Sequence, residues 1–254
     1  MKIIKTFFSS IRNNLIALGI FLLIWSVLSL FYESYIVPGP MTVLKDFREL
    51  VRPDFITNLG ITLYRTFIGF GLSFIIGTFL GLFAYTLKIR ELIETTLLIF
   101  QVIPGTILGI ILLLIFGIGN TTPIALIVIL TTPVIAVNTS NSLTKRNQTI
   151  EFLIKSYSKK LKYQITDEYI PALIPTTKAN LSIGFGFSFK IVILGEFIAC
   201  ENGLGYLLNI ARIYFNMKLV FLYLLTFIIF IIVFQILINF IFILGLRKYL
   251  YPIT

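Results

Sequence analysis

Six runs of about twenty apolar residues divide this chain, and they leave it few ways to fold. They span 15–31, 66–87, 92–116, 123–140, 179–199 and 219–246. A backbone surrounded by hydrocarbon must satisfy its own hydrogen bonds, so runs of this length predict membrane-spanning helices. Short segments of alternating polarity, which a membrane barrel would need, do not occur. The expected fold is therefore all-α: a polytopic membrane bundle of about six transmembrane helices.

Composition agrees. The 254 residues are 57% hydrophobic, above the roughly 45–50% apolar share of a soluble domain. Charged residues make up 13% and gather between the apolar runs. The net charge of +10 therefore points to lipid head groups and not to nucleic acid, because the basic residues flank the spans. The first run follows Lys2, Lys5 and Arg12, but it has no A-x-A-like cleavage site and is as long as a span, so it is read as retained.

Lysine and arginine placement sets the expected topology. With the N-terminus in the cytoplasm, Lys88, Arg90, Lys145, Arg146, Lys155, Lys159, Lys160 and Lys162 fall inside, against Lys45, Arg48, Arg52, Arg65, Arg212 and Lys218 outside. An even number of spans then returns the C-terminus to the cytoplasm. The chain divides into an N-terminal span with an outer interfacial loop (1–57), a core of spans (58–246) and a short tail (247–254).

Two loops stand out. The outer one, 32–58, contains Val37-Pro38-Gly39-Pro40 and then 42–47, a turn followed by a short amphipathic helix. The inner one, 141–177, is the most polar stretch and lies between the fourth and fifth spans. Read as a helix, it turns Phe152, Ile154 and Leu161 to one side and Lys155, Lys159 and Lys162 to another, a pattern that suits a membrane surface or a partner's groove. Pro171 and Pro175 are expected to stop that helix and aim the chain back into the bilayer.

Inside the spans, Gly69, Ser73, Gly77 and Gly81 recur every four residues, so one helix face is nearly bare backbone, suited to close packing or a moving contact. Pro104, followed by Gly105 and Gly109, should kink the third span. Lys190 and Glu196 lie in the fifth span, where an unpaired charge costs about 2.5–3.5 kcal/mol. Six residues apart, they are offset by roughly 120° and should not pair with each other. Lys190 is expected either to have a buried partner on another helix or to act as counter-ion to an anionic solute. Glu196 is expected to anchor a gate or a helix contact. Arg65, at the outer start of the second span, is expected to be structural, with snorkelling to head groups as its simplest role.

Several chemistries are excluded. Histidine is absent and Cys200 is the one cysteine, which removes disulfides, Cys/His metal sites and histidine proton transfer. No G-x-x-x-x-G-K-[ST] phosphate loop occurs, so the chain carries no nucleotide motor of that type, and no serine-enzyme motif occurs either. An ion-coupled secondary transporter remains the alternative, and it would call for carboxylates in both halves; only Glu94, near a membrane edge, and Glu196 qualify.

The segment Ile170-Pro171-Ala172-Leu173-Ile174-Pro175 resembles the end of the cytoplasmic signature, L-P-A-A-L-P, of the binding-protein-dependent permeases of ABC importers, of the sulfonate, nitrate and taurine type. Val37-Pro38-Gly39-Pro40-Met41-Thr42-Val43 is similar to that family's L-P-S-P-x-x-V, Phe116-Gly117-Ile118-Gly119 to its F-G-I-G, and Gly195-Glu196-Phe197 with Gly203-Leu204-Gly205-Tyr206-Leu207 to its A-E-F and G-L-G-Y-L. Ser158 stands where the signature has glycine, and its Glu-Ala-Ala is missing around 152–154.

The resemblance implies the type I importer permease (MetI-like) fold in a bacterial plasma membrane, with no enzyme activity of its own. It also implies a permease homodimer, a separate ATPase subunit that binds ATP and Mg, and an extracytoplasmic solute-binding protein. The coupling loop (143–175) would meet the ATPase through Phe152, Lys155, Ser158, Lys159, Lys160, Leu161, Pro171, Ala172 and Pro175. Independently of the resemblance, the helix break at Pro104 and the intramembrane charge of Lys190 make these residues, with Glu196 at the family's acidic position, the candidates for the pathway or its gate. The implied solute is a sulfonate, taurine, nitrate or a thiamine-precursor pyrimidine.

Overall fold

The computed structural model describes residues 2–144, 156, 166 and 169–245, with side chains from Ile11 onward except that of Leu244. Among the described residues every regular element is helical. The elements are α1 (Lys2–Phe31), α2 (Pro40–Leu44), a 3-10 turn (Lys45–Val51), α3 (Pro53–Thr86), α4 (Arg90–Val102), α5 (Gly105–Phe116), α6 (Thr121–Thr144), α7 (Ile170–Ala199), α8 (Leu204–Ile213) and α9 (Met217–Gly245). Five helices are long and apolar enough to cross a membrane, and the α4–α5 pair, bent by 87°, makes a sixth if counted as one broken span.

Each expected run falls on helix, the third interrupted at Ile103 and Pro104, and most of the helices begin before the apolar run does. A helix stays favourable beyond the hydrocarbon as long as its amides remain bonded, so the apolar run marks only the middle of the element. The second span begins at Pro53, whose fixed φ and missing N–H suit a first turn. The fifth begins at Ile170, and here the expectation about the two prolines is corrected. Pro171 opens α7 and Pro175 lies inside it. So close to the start, the absent amides disturb few ladder bonds, and both prolines are accommodated within the spanning helix itself.

The core centres on α6 and α7. Leu126, Ile127 and Val192 are fully buried, packed with Leu108 and Leu112 of α5. A run of aromatic rings joins α7 to α9: Phe185 stacks on Phe234 at 3.5 Å and Phe189 on Phe230 at 4.6 Å. The first helix is peripheral. It meets α9 and α2, with Trp25 stacked on Phe221 at 5.2 Å and its Nε1 donating to the Pro38 carbonyl at 2.9 Å. The expected turn and short helix after Pro38 are present, α2 continuing into the 3-10 turn as far as Val51.

Gly69, Ser73, Gly77 and Gly81 are all buried on the face of α3 that meets α6. A Cβ at Gly77 would lie 2.8 Å from Ile135 Cβ and 2.9 Å from the Thr132 carbonyl; one at Gly81 would lie 2.6 Å from the Ala136 carbonyl. Ser73 Oγ donates to the Gly69 carbonyl at 2.8 Å, which removes the polar cost of a hydroxyl in this seam.

Candidate functional site

Where α3, α6, α7 and α8 come together, a buried polar cluster forms around Arg65 and Glu196. The two side chains are 1% and 0% exposed, and Arg65 Nη1 donates to Glu196 Oε1 at 2.9 Å. Four of the five arginine N–H groups are taken by neighbours: besides the bond to Glu196, Nε donates to Asn120 Oδ1 at 2.8 Å, Nη1 also to the Asn202 carbonyl at 3.0 Å, and Nη2 to Asn202 Oδ1. Thr62 Oγ1 donates to the Glu196 carboxylate and accepts from the Leu204 amide at 2.8 Å, while the Gly205 amide donates to Glu196 Oε2 at 2.9 Å.

This geometry corrects the reading of Arg65 as a snorkelling residue. Its guanidinium turns inward because the fork finds a carboxylate, two asparagine side-chain oxygens and a backbone carbonyl there, acceptors that replace most of the water. Glu196 pairs with Arg65 and not with Lys190, from which the helix turn separates it. Chemically the cluster is self-neutralised and offers no free nucleophile or proton carrier. It is a staple that ties the start of α3, the 117–120 turn, the end of α7 and the link into α8.

Glycines make the staple possible. Gly203, at φ 101°, is in a region that disfavours L side chains, and any Cβ there would run into the Glu196 carboxyl. Its amide donates to Asn58 Oδ1 at 2.5 Å. A Cβ at Gly205 would collide with the Ile193 carbonyl. The two glycines of Gly203-Leu204-Gly205 thus let the α8 backbone lie directly on α7.

At Pro104 the expected kink is a full break. Ile103 and Pro104 are extended, α5 restarts at Gly105, and its axis lies 87° from that of α4. The residue before a proline avoids helical geometry, which is why the helix ends at Val102. The far end of α4 is held by Arg90, whose Nε donates to Glu94 at 2.7 Å and whose Nη2 donates to Asn141 Oδ1 at 2.5 Å. Lys190 is exposed on α7, so the expectation of a buried partner on another helix is not met within the described chain.

Of the residues named for coupling, Pro171, Ala172 and Pro175 are described. Ser142 Oγ of α6 donates to the Ala172 carbonyl at 2.7 Å, which ties the start of α7 to the end of α6. Phe152, Lys155, Ser158, Lys159, Lys160 and Leu161 lie outside the described residues. Asn58, Thr62, Asn120 and Asn202 escaped the sequence reading. Their signal was available: Asn58, Thr62, Arg65 and Thr66 recur on α3 at helical spacing, and Asn120 and Asn202 flank span ends. Among the described residues no group of His, Cys, Asp and Glu side chains could hold a metal ion.

The family model of binding-protein-dependent transport system inner membrane components matches residues 73–244. The formylaminopyrimidine transport permease protein ThiX of Halalkalibacterium halodurans is 26% identical over 187 residues, covering 73% of this chain and 75% of that protein. A putative aliphatic sulfonates transport permease protein of Bacillus subtilis, SsuC, is 24% identical, covering 79% and 74%. The nitrate import permease protein NrtB of Synechococcus elongatus is 24% identical, covering 75% and 73%. Among solved structures, a chain of the methionine ABC transporter MetNI in an inward-facing conformation superimposes with a TM-score of 0.63 at 20% identity, over 73% of this chain and 93% of that one. At that identity the likeness concerns the fold.

Proposed function

The chain belongs to the family of binding-protein-dependent transport system inner membrane components, and from that premise we propose how it works as the permease subunit of an ABC importer. Two copies form the path, a separate ATPase grips the polar segment between α6 and α7, and an external binding protein delivers the solute. The match over 73–244, which takes in α4 to α9, carries this reading. The fold shared with an inward-facing importer permease supports it.

In this arrangement both termini lie in the cytoplasm and the Arg65–Glu196 staple sits at the outer end. Closure of the ATPase pair around ATP and Mg draws the two 143–175 segments together and rocks the spans between inward-open and outward-open states. The Ser142–Ala172 hydrogen bond gives that pull a direct route from the segment into α6 and α7. The solute is a sulfonate, nitrate or a formylaminopyrimidine, a range that follows the names of the relatives, with taurine and other thiamine-precursor pyrimidines added by the motif resemblance.

The decisive experiment is affinity purification of the full-length chain from its native membrane. An ATPase subunit should come with it, and deletion of 155–162 should release that subunit and abolish uptake. Uptake that survives the deletion would overturn the reading.

A further inference from the structure

Lys190 is the intramembrane charge that the Arg65–Glu196 cluster does not use. It sits on α7, a 30-residue helix of about 45 Å, roughly 8 Å from the midpoint and thus inside a ~30 Å hydrocarbon slab centred there. Ile183 and Phe187 share its face and are 61% and 36% exposed. On one flank α9 packs against Gly186 and Phe189; on the other α5 packs against Leu194 and Ile198.

The broken span explains why this face is open. Gly105 lies against Leu194 and Gly109 against Ile198, so α5 and α7 run in parallel with a constant register. The same register continued backwards would set Gln101 beside Lys190. Instead the chain turns through 87° at Pro104, and α4 departs to pack on α6 and α3. The turn removes the neighbour that would have covered the lysine.

An ammonium at this depth needs water or a counter-charge. Glu196 is taken by Arg65 and Glu94 by Arg90, and the other described carboxylates lie in the segments at the helix ends. No hydrogen bond or ion pair reaches Lys190 among the described residues.

We propose that the face formed by Ile183, Phe187 and Lys190 lines a water-filled solute path, and that the Lys190 ammonium makes this path selective for small anions. This rests on the permease reading and narrows its solute class, favouring sulfonate- or nitrate-like ions over neutral pyrimidines. A cation in a cleft with low-dielectric walls raises the local concentration of anions by about tenfold or more.

The test needs no knowledge of the solute. In a C200S background, which is free of cysteine, F187C places a thiol one helical turn from Lys190. Its modification is measured in right-side-out and inside-out vesicles carrying the whole transporter. The probes are anionic 2-sulfonatoethyl methanethiosulfonate and cationic 2-(trimethylammonium)ethyl methanethiosulfonate, each normalised to its rate with a small free thiol.

The anionic probe should be favoured by about tenfold or more; adding K190Q should bring the normalised ratio close to one, and K190R should preserve it. If F187C does not accumulate, I183C gives the same readout. Absence of modification from both sides, or a ratio indifferent to K190Q, would overturn the proposal. Co-purification of an ATPase is scored separately, so either idea can fail while the other stands.

Discussion

Arg65 Nη1 lies 2.9 Å from Glu196 Oε1, with both side chains fully buried, so this ion pair fastens α3 to α7 where water cannot compensate for a missing partner. Removing one member leaves the other as an uncompensated buried charge, at a cost of about 3–5 kcal/mol. R65A and E196A should each sharply lower the melting temperature in detergent. The double variant should fall well short of the sum, because it leaves no orphan charge. R65K should be intermediate, since a lysine cannot reproduce the fork that reaches Asn120 and Asn202 together. Additive single effects in a double-mutant cycle would show that the pair is not coupled.

Gly203 should tolerate no side chain. At φ 101° with the Glu196 carboxyl where a Cβ would have to go, alanine meets backbone strain of about 1–3 kcal/mol and a steric clash as well. G203A should therefore destabilise the protein more than alanine at Gly60, where a Cβ meets nothing within 4 Å. Thermal unfolding of the two variants side by side checks this, and equal melting temperatures would refute it.

The seam between α3 and α6 gives a third expectation. A Cβ at Gly81 would lie 2.6 Å from a backbone carbonyl, and backbone cannot swing aside as a side-chain tip can. G81V should cost about 1–3 kcal/mol or more through overpacking. It should reduce the folded yield, whereas G71V, in open space on the same helix, should not. Size-exclusion profiles of the two purified variants decide the matter.

These contrasts mark what the sequence could and could not convey. Span number and location were readable because twenty apolar residues have one cheap conformation in lipid. The small-residue stripe and the break at Pro104 were readable because each follows from local backbone sterics. Helix ends were not: α7 starts at Ile170 because Pro171 is acceptable in a first turn, and apolarity alone marked only its later part. The partner of Arg65 was not readable either, since Glu196 lies 131 residues away and no local pattern records that pairing. Lys190 was legible as an expensive charge, but its uncovered face depends on the direction in which α4 turns.

Cys200 offers a pH-dependent check. It follows α7 directly, and burial pushes its thiol up to about 11, with the nearby Arg65 only partly opposing the shift. Its Sγ donates to the Gly119 carbonyl at 3.2 Å, and the Glu196 carboxylate nearby adds to the upward shift. The thiolate is the reactive species, so near neutral pH the native cysteine should be nearly inert to maleimide. Because the raised pKa keeps the group neutral below about 11, its rate should climb about tenfold per pH unit through the range where an ordinary thiol, at about 8.5, has already levelled off. A plateau below pH 9 would contradict the burial.

Pro104 carries the last prediction, because it controls whether the fourth and fifth helices are one rod or two. With proline present, Ile103 is held extended and Leu108 N begins the new ladder on the Pro104 carbonyl at 3.1 Å. P104A restores an amide and frees Ile103 to become helical, so straight and bent forms come into competition. Spin labels at L98C and I110C in a C200S background report on this, since both positions are exposed. A right-angle bend sets those backbones about 13 Å apart, whereas a continuous helix sets them about 18 Å apart. P104A should add a longer-distance component to the dipolar spectrum and slow transport, because a straightened span moves Gln101 toward Lys190. If the spectrum stays that of the bent form, the packing of α4 on α6 and α3, and not the proline, holds the break.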